Sequence, residues 1–103
     1  MVKKSIIDTV VRYLKQIPGD LEVKKAFLFG SYAKGLEKED SDIDVAVVLG
    51  NMNDFFATQM KLMRLRRKID LRIEPHPIGE SEFTAMNPFA SEIQESGIEI
   101  ELD

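Results

Sequence analysis

Apolar residues recur along this chain in two rhythms, one helical near the amino terminus and one strand-like through the middle. Between Ser5 and Gln16, residues Ile6, Ile7, Val10, Val11 and Leu14 fall near i, i+3, i+4, i+7 and i+8. That spacing predicts an amphipathic helix, with Ser5 at its start and Pro18-Gly19 as its stop. Lys24 to Gly30 condenses into the apolar run AFLF before a glycine and reads as a buried strand. Ser31 to Lys34 predicts one helical turn ended by Gly35, and Leu36 to Asp40 reads as a solvated loop. Ser41 to Leu49, rich in Val and Ile, predicts a second strand that Gly50-Asn51 breaks.

Asn51 or Asn53 is then placed to cap a helix from about Asp54 to Lys68, which carries Phe55, Phe56, Met60, Leu62, Met63 and Leu65. Its Met residues suit the filling of a core. Lys61, Arg64, Arg66, Arg67 and Lys68 gather towards its end, where cations complement the helix dipole. Ile69 to Glu74 predicts a third strand terminated by Pro75 and Pro77, and Ser81 to Met86 a short helix. Asn87-Pro88 opens another helix, with Asn capping and Pro at the first helical position. It runs to about Ser96 and stops at Gly97, after which Ile98 to Leu102 alternates as a final strand. The order helix, strand, strand, helix, strand, helix, strand predicts an α+β (mixed α/β) fold. Four strands form a mixed sheet with helices mainly on one face, leaving the other partly open.

The chain has 103 residues, 44% of them hydrophobic, which suffices for one packed core and predicts a single domain over 1–103. With no cysteine and one histidine, a disulfide framework, a thiolate site and a His-rich zinc site are all excluded. Metal chemistry would fall to carboxylates, which select hard ions such as magnesium or manganese. The net charge of −4 is a poor footprint for stable direct nucleic-acid binding. It suits a nucleotide delivered with its metal ion, or a basic protein partner. No apolar run approaches the ~18–20 residues that span a bilayer, and no signal-peptide pattern opens the chain, so a cytoplasmic protein without membrane association is expected.

Two features close together carry candidate chemistry. Gly30-Ser31 leaves a buried strand and is followed by Ala33, Lys34 and Gly35. A strand-to-helix turn with glycines leaves backbone N–H groups free to cradle phosphate, and Ser31 and Lys34 add a hydroxyl and a charge. Asp42-Ile43-Asp44 opens the second strand. Residues two apart on a strand share a face, with Cα atoms about 6.5–7 Å apart, so these carboxylates can converge on divalent ions. A carboxylate between Ile43 and Val45 is costly to desolvate without a partner, and a cation supplies one. On the expected third strand Asp70, Arg72 and Glu74 share a face. Asp70 and Glu74 lie about 13 Å apart along it, so one of the two can complete the cluster. Three carboxylates beside a phosphate-cradling turn describe a two-metal site for nucleotidyl transfer.

GSYAKG followed by DSDID and a Val-rich strand resembles the signature of the DNA polymerase beta-like nucleotidyltransferases, with ten residues between Ser31 and Asp42. The resemblance covers Val23 to about Pro77. It implies two magnesium ions on Asp42 and Asp44, and nucleotide β- and γ-phosphates on Gly30 and Ser31. Asp70, which fits the third position better than Glu74, would bind the catalytic metal and help to deprotonate an acceptor hydroxyl. Lys34 and Arg72 are further phosphate contacts that the family pattern does not assign. His76, flanked by prolines after the strand, reads as a structural or surface residue.

The short length is similar to the minimal nucleotidyltransferases paired with a helical HEPN-type toxin, and NPFASEIQESGIEI resembles the closing helix and strand of such short relatives. This implies ATP or another nucleoside triphosphate as substrate, with AMP transferred to a hydroxyl on a partner protein. A non-catalytic antitoxin that neutralises its partner by occlusion is the alternative, and transfer to a small molecule a third. Apolar residues on the Met-rich helix suit either a core or an interface, which leaves a homo-oligomer open.

Overall fold

The Val- and Ile-rich run becomes β2 (Ile43–Leu49), an interior strand of a four-stranded sheet. The computed structural model describes residues 2–102. β1 (Val23–Phe29) pairs antiparallel with β2, β3 (Ile73–Gly79) pairs parallel with its other edge, and β4 (Ile98–Glu99) pairs antiparallel with β1. The order β3-β2-β1-β4 makes the sheet mixed, as the sequence of elements predicts.

Alternation along β2 sends Ile43, Val45, Val47 and Leu49 into one core, where Ile6, Val10, Tyr13 and Leu14 of α1 (Lys4–Leu14) meet Leu62 of α3 (Phe55–Leu65). The buried Tyr13 hydroxyl donates to the Leu62 carbonyl at 2.8 Å, tying the two helices across the core. The opposite face is more covered than expected. Phe27, Ala46, Val48 and Ile78 pack there against Ala90 and Ile93 of α4 (Pro88–Ser96). Asn87 starts α4 as predicted, its side chain accepting from the Phe89 and Ala90 N–H groups. The open part of this face lies towards the start of β2.

Three local expectations change. Asp54, rather than Asn51 or Asn53, caps α3, accepting from the Ala57 N–H at 3.1 Å; Asn51 instead donates to the Asp20 carbonyl. Met60 is exposed rather than core filler, beside exposed Phe55 and Phe56. Glu80–Glu82 forms a single 3₁₀ turn in place of the helix expected over Ser81 to Met86.

The larger correction is the third strand, expected over Ile69 to Glu74. After the 3₁₀ turn Arg66–Lys68, the chain turns again at 70–72 and β3 starts at Ile73, with Pro75 and Pro77 inside it. A proline lacks the N–H that an interior strand needs, but an edge strand tolerates it where that N–H would point outward. β3 is the edge, and its two prolines sit two apart, so both vacant positions face away from β2. The outward carbonyls are covered from the helix side. Arg66 Nη1 donates to the Ile73 carbonyl at 2.8 Å and Gln59 Nε2 to the Pro75 carbonyl at 3.1 Å. Among the described residues no helix is long and apolar enough to cross a membrane.

Candidate active site

β1 ends at Phe29, and Gly30 turns the chain into α2 (Ser31–Lys34), the helical turn expected there, with Gly35 closing it. Gly30 adopts φ 75° and ψ −149°, a conformation essentially confined to glycine. A second constraint acts at the same atom, because a Cβ on Gly30 would run into Asp44 Oδ2. The turn and the carboxylate are therefore in contact through the missing side chain. Gly30, having no side chain, caps α2 without a side-chain hydrogen bond.

Asp44 sits inside β2, opposite Phe29 on one side and Glu74 on the other. Its side chain is 25% exposed on the face away from α1 and α3. Asp42, exposed, precedes the strand by one residue and shares this face by alternation. Lys34 is exposed at the end of α2, its Nζ 4.0 Å from Glu92 Oε1 of α4, a long contact that leaves the ammonium in solvent.

Asp70, expected on the third strand beside these carboxylates, instead precedes β3. Its Oδ1 accepts from the Arg72 N–H and Nε at 2.9 and 3.0 Å, and its Oδ2 from Arg72 Nη2 at 2.8 Å. These bonds from Arg72 hold its carboxyl below the usual range, despite partial desolvation. Arg72 Nη1 also donates to the hydroxyl of Tyr32, which belongs to the core on the α1 side. With Lys3 and Lys38, Arg72 lines a surface cavity of about 410 Å³ there. Glu74 is paired in register with Asp44 and, by strand alternation, shares its face. Its Oε2 lies 3.4 Å from Arg66 Nη1, a stretched contact. Among the described residues no three Asp, Glu or His side chains converge closely enough to form a ready-made metal cage.

His76 departs from its expected position. It lies within β3, not in a loop, two residues beyond Glu74 on the same face, with Nε2 3.1 Å from Asp44 Oδ1. A carboxylate oxygen accepts, so Nε2 carries the proton. The signal was the alternation of Glu74, His76 and Ile78 through the prolines, legible once a proline-bearing edge strand is allowed.

Comparison with known proteins identifies the family and the fold. A model of the nucleotidyltransferase domain matches residues 7–99. A protein of Methanocaldococcus jannaschii, provisionally named a protein adenylyltransferase, is 29% identical over 99 residues, spanning 92% of this chain and 98% of its own. A toxin–antitoxin crystal structure with AMP-PNP superposes with a TM-score of 0.65 at 21% identity, covering 94% of this chain and 73% of that one. A doubly substituted variant of the toxin–antitoxin MntA–HpeT gives 0.64 at 19%, with coverages of 94% and 73%. These structural likenesses bear on the fold, and the family match spans nearly the whole sequence. The chain belongs to the nucleotidyltransferase domain family.

Proposed function

We propose that this protein is a magnesium-dependent adenylyltransferase, cytoplasmic, that moves AMP from ATP to a hydroxyl on a partner protein. The observation that carries the reading is the contact between Gly30 and Asp44, which joins the glycine turn to a strand carboxylate. In this reading Gly30, Ser31 and the free N–H groups of α2 hold the β- and γ-phosphates, and Lys34 adds a mobile charge near them. Asp42 and Asp44 hold the metal. Glu74 replaces Asp70 as the third carboxylate, because it faces Asp44 in register while Asp70 is saturated by Arg72.

The donor set fits magnesium. All its atoms are oxygens, and this ion is commonly held by one or two carboxylates, with water and substrate phosphate completing its shell. When bound, magnesium supplies positive charge to the phosphate oxygens and to the charge that develops on them. The acceptor oxygen bonds to the α-phosphorus as the bond to the bridging β-phosphate oxygen breaks, and pyrophosphate leaves with that electron pair. The acceptor proton passes to a Glu74 carboxylate oxygen. The similar toxin–antitoxin structure with AMP-PNP supports an adenine nucleotide and a toxin-like partner; the HEPN type proposed for that partner rests on the resemblance of the sequence alone.

The test is transfer of label from ATP marked in its α-phosphate, with magnesium and the cognate partner protein. Asp44→Asn and Glu74→Gln are expected to lose transfer by about 100-fold or more, in the range seen when a key electrostatic group is removed. Asp70→Asn is expected to lose far less. Equal labelling by wild type and Asp44→Asn would remove the enzymatic reading.

One observation favours a second reading, neutralisation of a partner by occlusion. Phe55 and Phe56 are 58% and 72% exposed at the start of α3, an apolar surface on a helix that also carries Lys61 and Arg64. An Asp42→Asn/Asp44→Asn double variant that still neutralised the partner fully would favour occlusion over transfer.

A further inference from the structure

The geometry points to His76 as a positioning residue that sets the orientation of the Asp44 carboxylate, with an aromatic clamp reaching it from the carboxy-terminal helix. The inference rests on the reading of Asp44 as a metal-holding group.

Asp44 has two oxygens with different neighbours. Oδ2 faces Gly30, where the absent side chain leaves it room. Oδ1 accepts from His76 Nε2 at 3.1 Å. A carboxylate on a strand can rotate about its own side-chain bonds, and a donor on one oxygen selects one of those orientations. The oxygen beside the phosphate-cradling turn is then left for a cation. Groups that donate to ligating carboxylates raise metal affinity in this way, typically by about 10–100-fold.

The imidazole is itself held. Its ring stands edge-on to Phe29, centroids 4.9 Å apart at 68°, and tilted to Phe89 at 6.2 Å. Phe29 and Phe89 meet each other edge to face at 5.6 Å and 82°, closing a trio of rings. Such contacts restrict an imidazole that is otherwise 36% exposed. Phe89 lies in the first turn of α4, next to the Asn87 cap. The carboxy-terminal helix thus reaches Asp44 through Phe89 and His76.

The test measures affinity for Mn²⁺·ATP by titration calorimetry, with thermal unfolding of each variant recorded alongside. His76→Ala is expected to weaken binding by about 10-fold or more. His76→Gln, whose amide nitrogen reaches the position of Nε2, should stay within about threefold of wild type, because the donor to Oδ1 is restored. Phe89→Leu should fall between the two. If Asp44→Asn abolishes binding while His76→Ala binds like wild type, the positioning role is wrong and the metal site stands. If His76→Gln is as weak as His76→Ala, the residue serves packing and the inference falls. If wild type does not bind Mn²⁺·ATP, the reading of Asp44 fails first and takes this role with it.

Discussion

Two glycines with positive φ flank α2, and alanine at each should have different consequences. Gly30 and Gly35 have φ of 75° and 72°. Gly35, with ψ 22°, is in the left-handed helical region, and a Cβ there meets nothing within 4 Å. Gly35→Ala should therefore cost only backbone strain, about 1–2 kcal/mol. Gly30, with ψ −149°, occupies a region that is costlier for a side chain, about 1–3 kcal/mol. Its added methyl must also displace the Asp44 carboxylate. Both variants should unfold at lower temperature, by about 4–8 °C per kcal/mol for a domain of this size. They should part in Mn²⁺·ATP affinity, which Gly30→Ala loses by an order of magnitude or more, the scale of a displaced metal-site group, and Gly35→Ala retains. Calorimetric titration and guanidinium unfolding on the same samples separate the two effects. If Gly30→Ala bound like Gly35→Ala, the contact between the turn and Asp44 would have no role in the site.

Three further outcomes follow from the packing. A Cβ on Gly97 would lie 2.6 Å from the Ile93 carbonyl oxygen and 3.3 Å from that of Leu28; backbone atoms yield poorly, so Gly97→Ala should cost about 1–3 kcal/mol in denaturant unfolding. Tyr13→Phe removes the buried bond to Leu62 and should cost about 1 kcal/mol. Burial also pushes the Tyr13 phenol above its ordinary value, so its contribution is complete below the unfolded pKa near ~10 and shrinks as pH rises beyond it; the alkaline loss should be smaller in Tyr13→Phe. For Asp70 the sign is opposite: Arg72 lowers its carboxyl, so the contribution is complete above the unfolded pKa near ~4 and disappears as pH falls through the lower folded value. Acid unfolding of Asp70→Asn should accordingly be flatter below about pH 4, and high salt should narrow the difference because Arg72 is half-exposed.

Features of this protein that depend on a few adjacent residues were legible from the chain alone. The α1 stripe, the turn Ser31–Lys34 between two glycines, the Val-rich β2 and the Asn87 cap are all specified by local spacing and local hydrogen bonding. The chain also suggested a Gly-Ser turn beside a strand carboxylate, and Gly30 does lie against Asp44. What the chain did not disclose depends on neighbours distant in sequence. Pro75 and Pro77 read as a stop because the position of β3 in the sheet was unknown; at an edge covered by Gln59 and Arg66 they extend the strand. That shift of four residues moves Asp70 out of the strand and into the grip of Arg72, and brings Glu74 into register with Asp44. It also carries His76 from an expected loop to within hydrogen-bonding distance of Asp44. Local periodicity determines which residues share a face, but the pairing partner determines where along a strand that face begins, and partners are chosen by the tertiary fold.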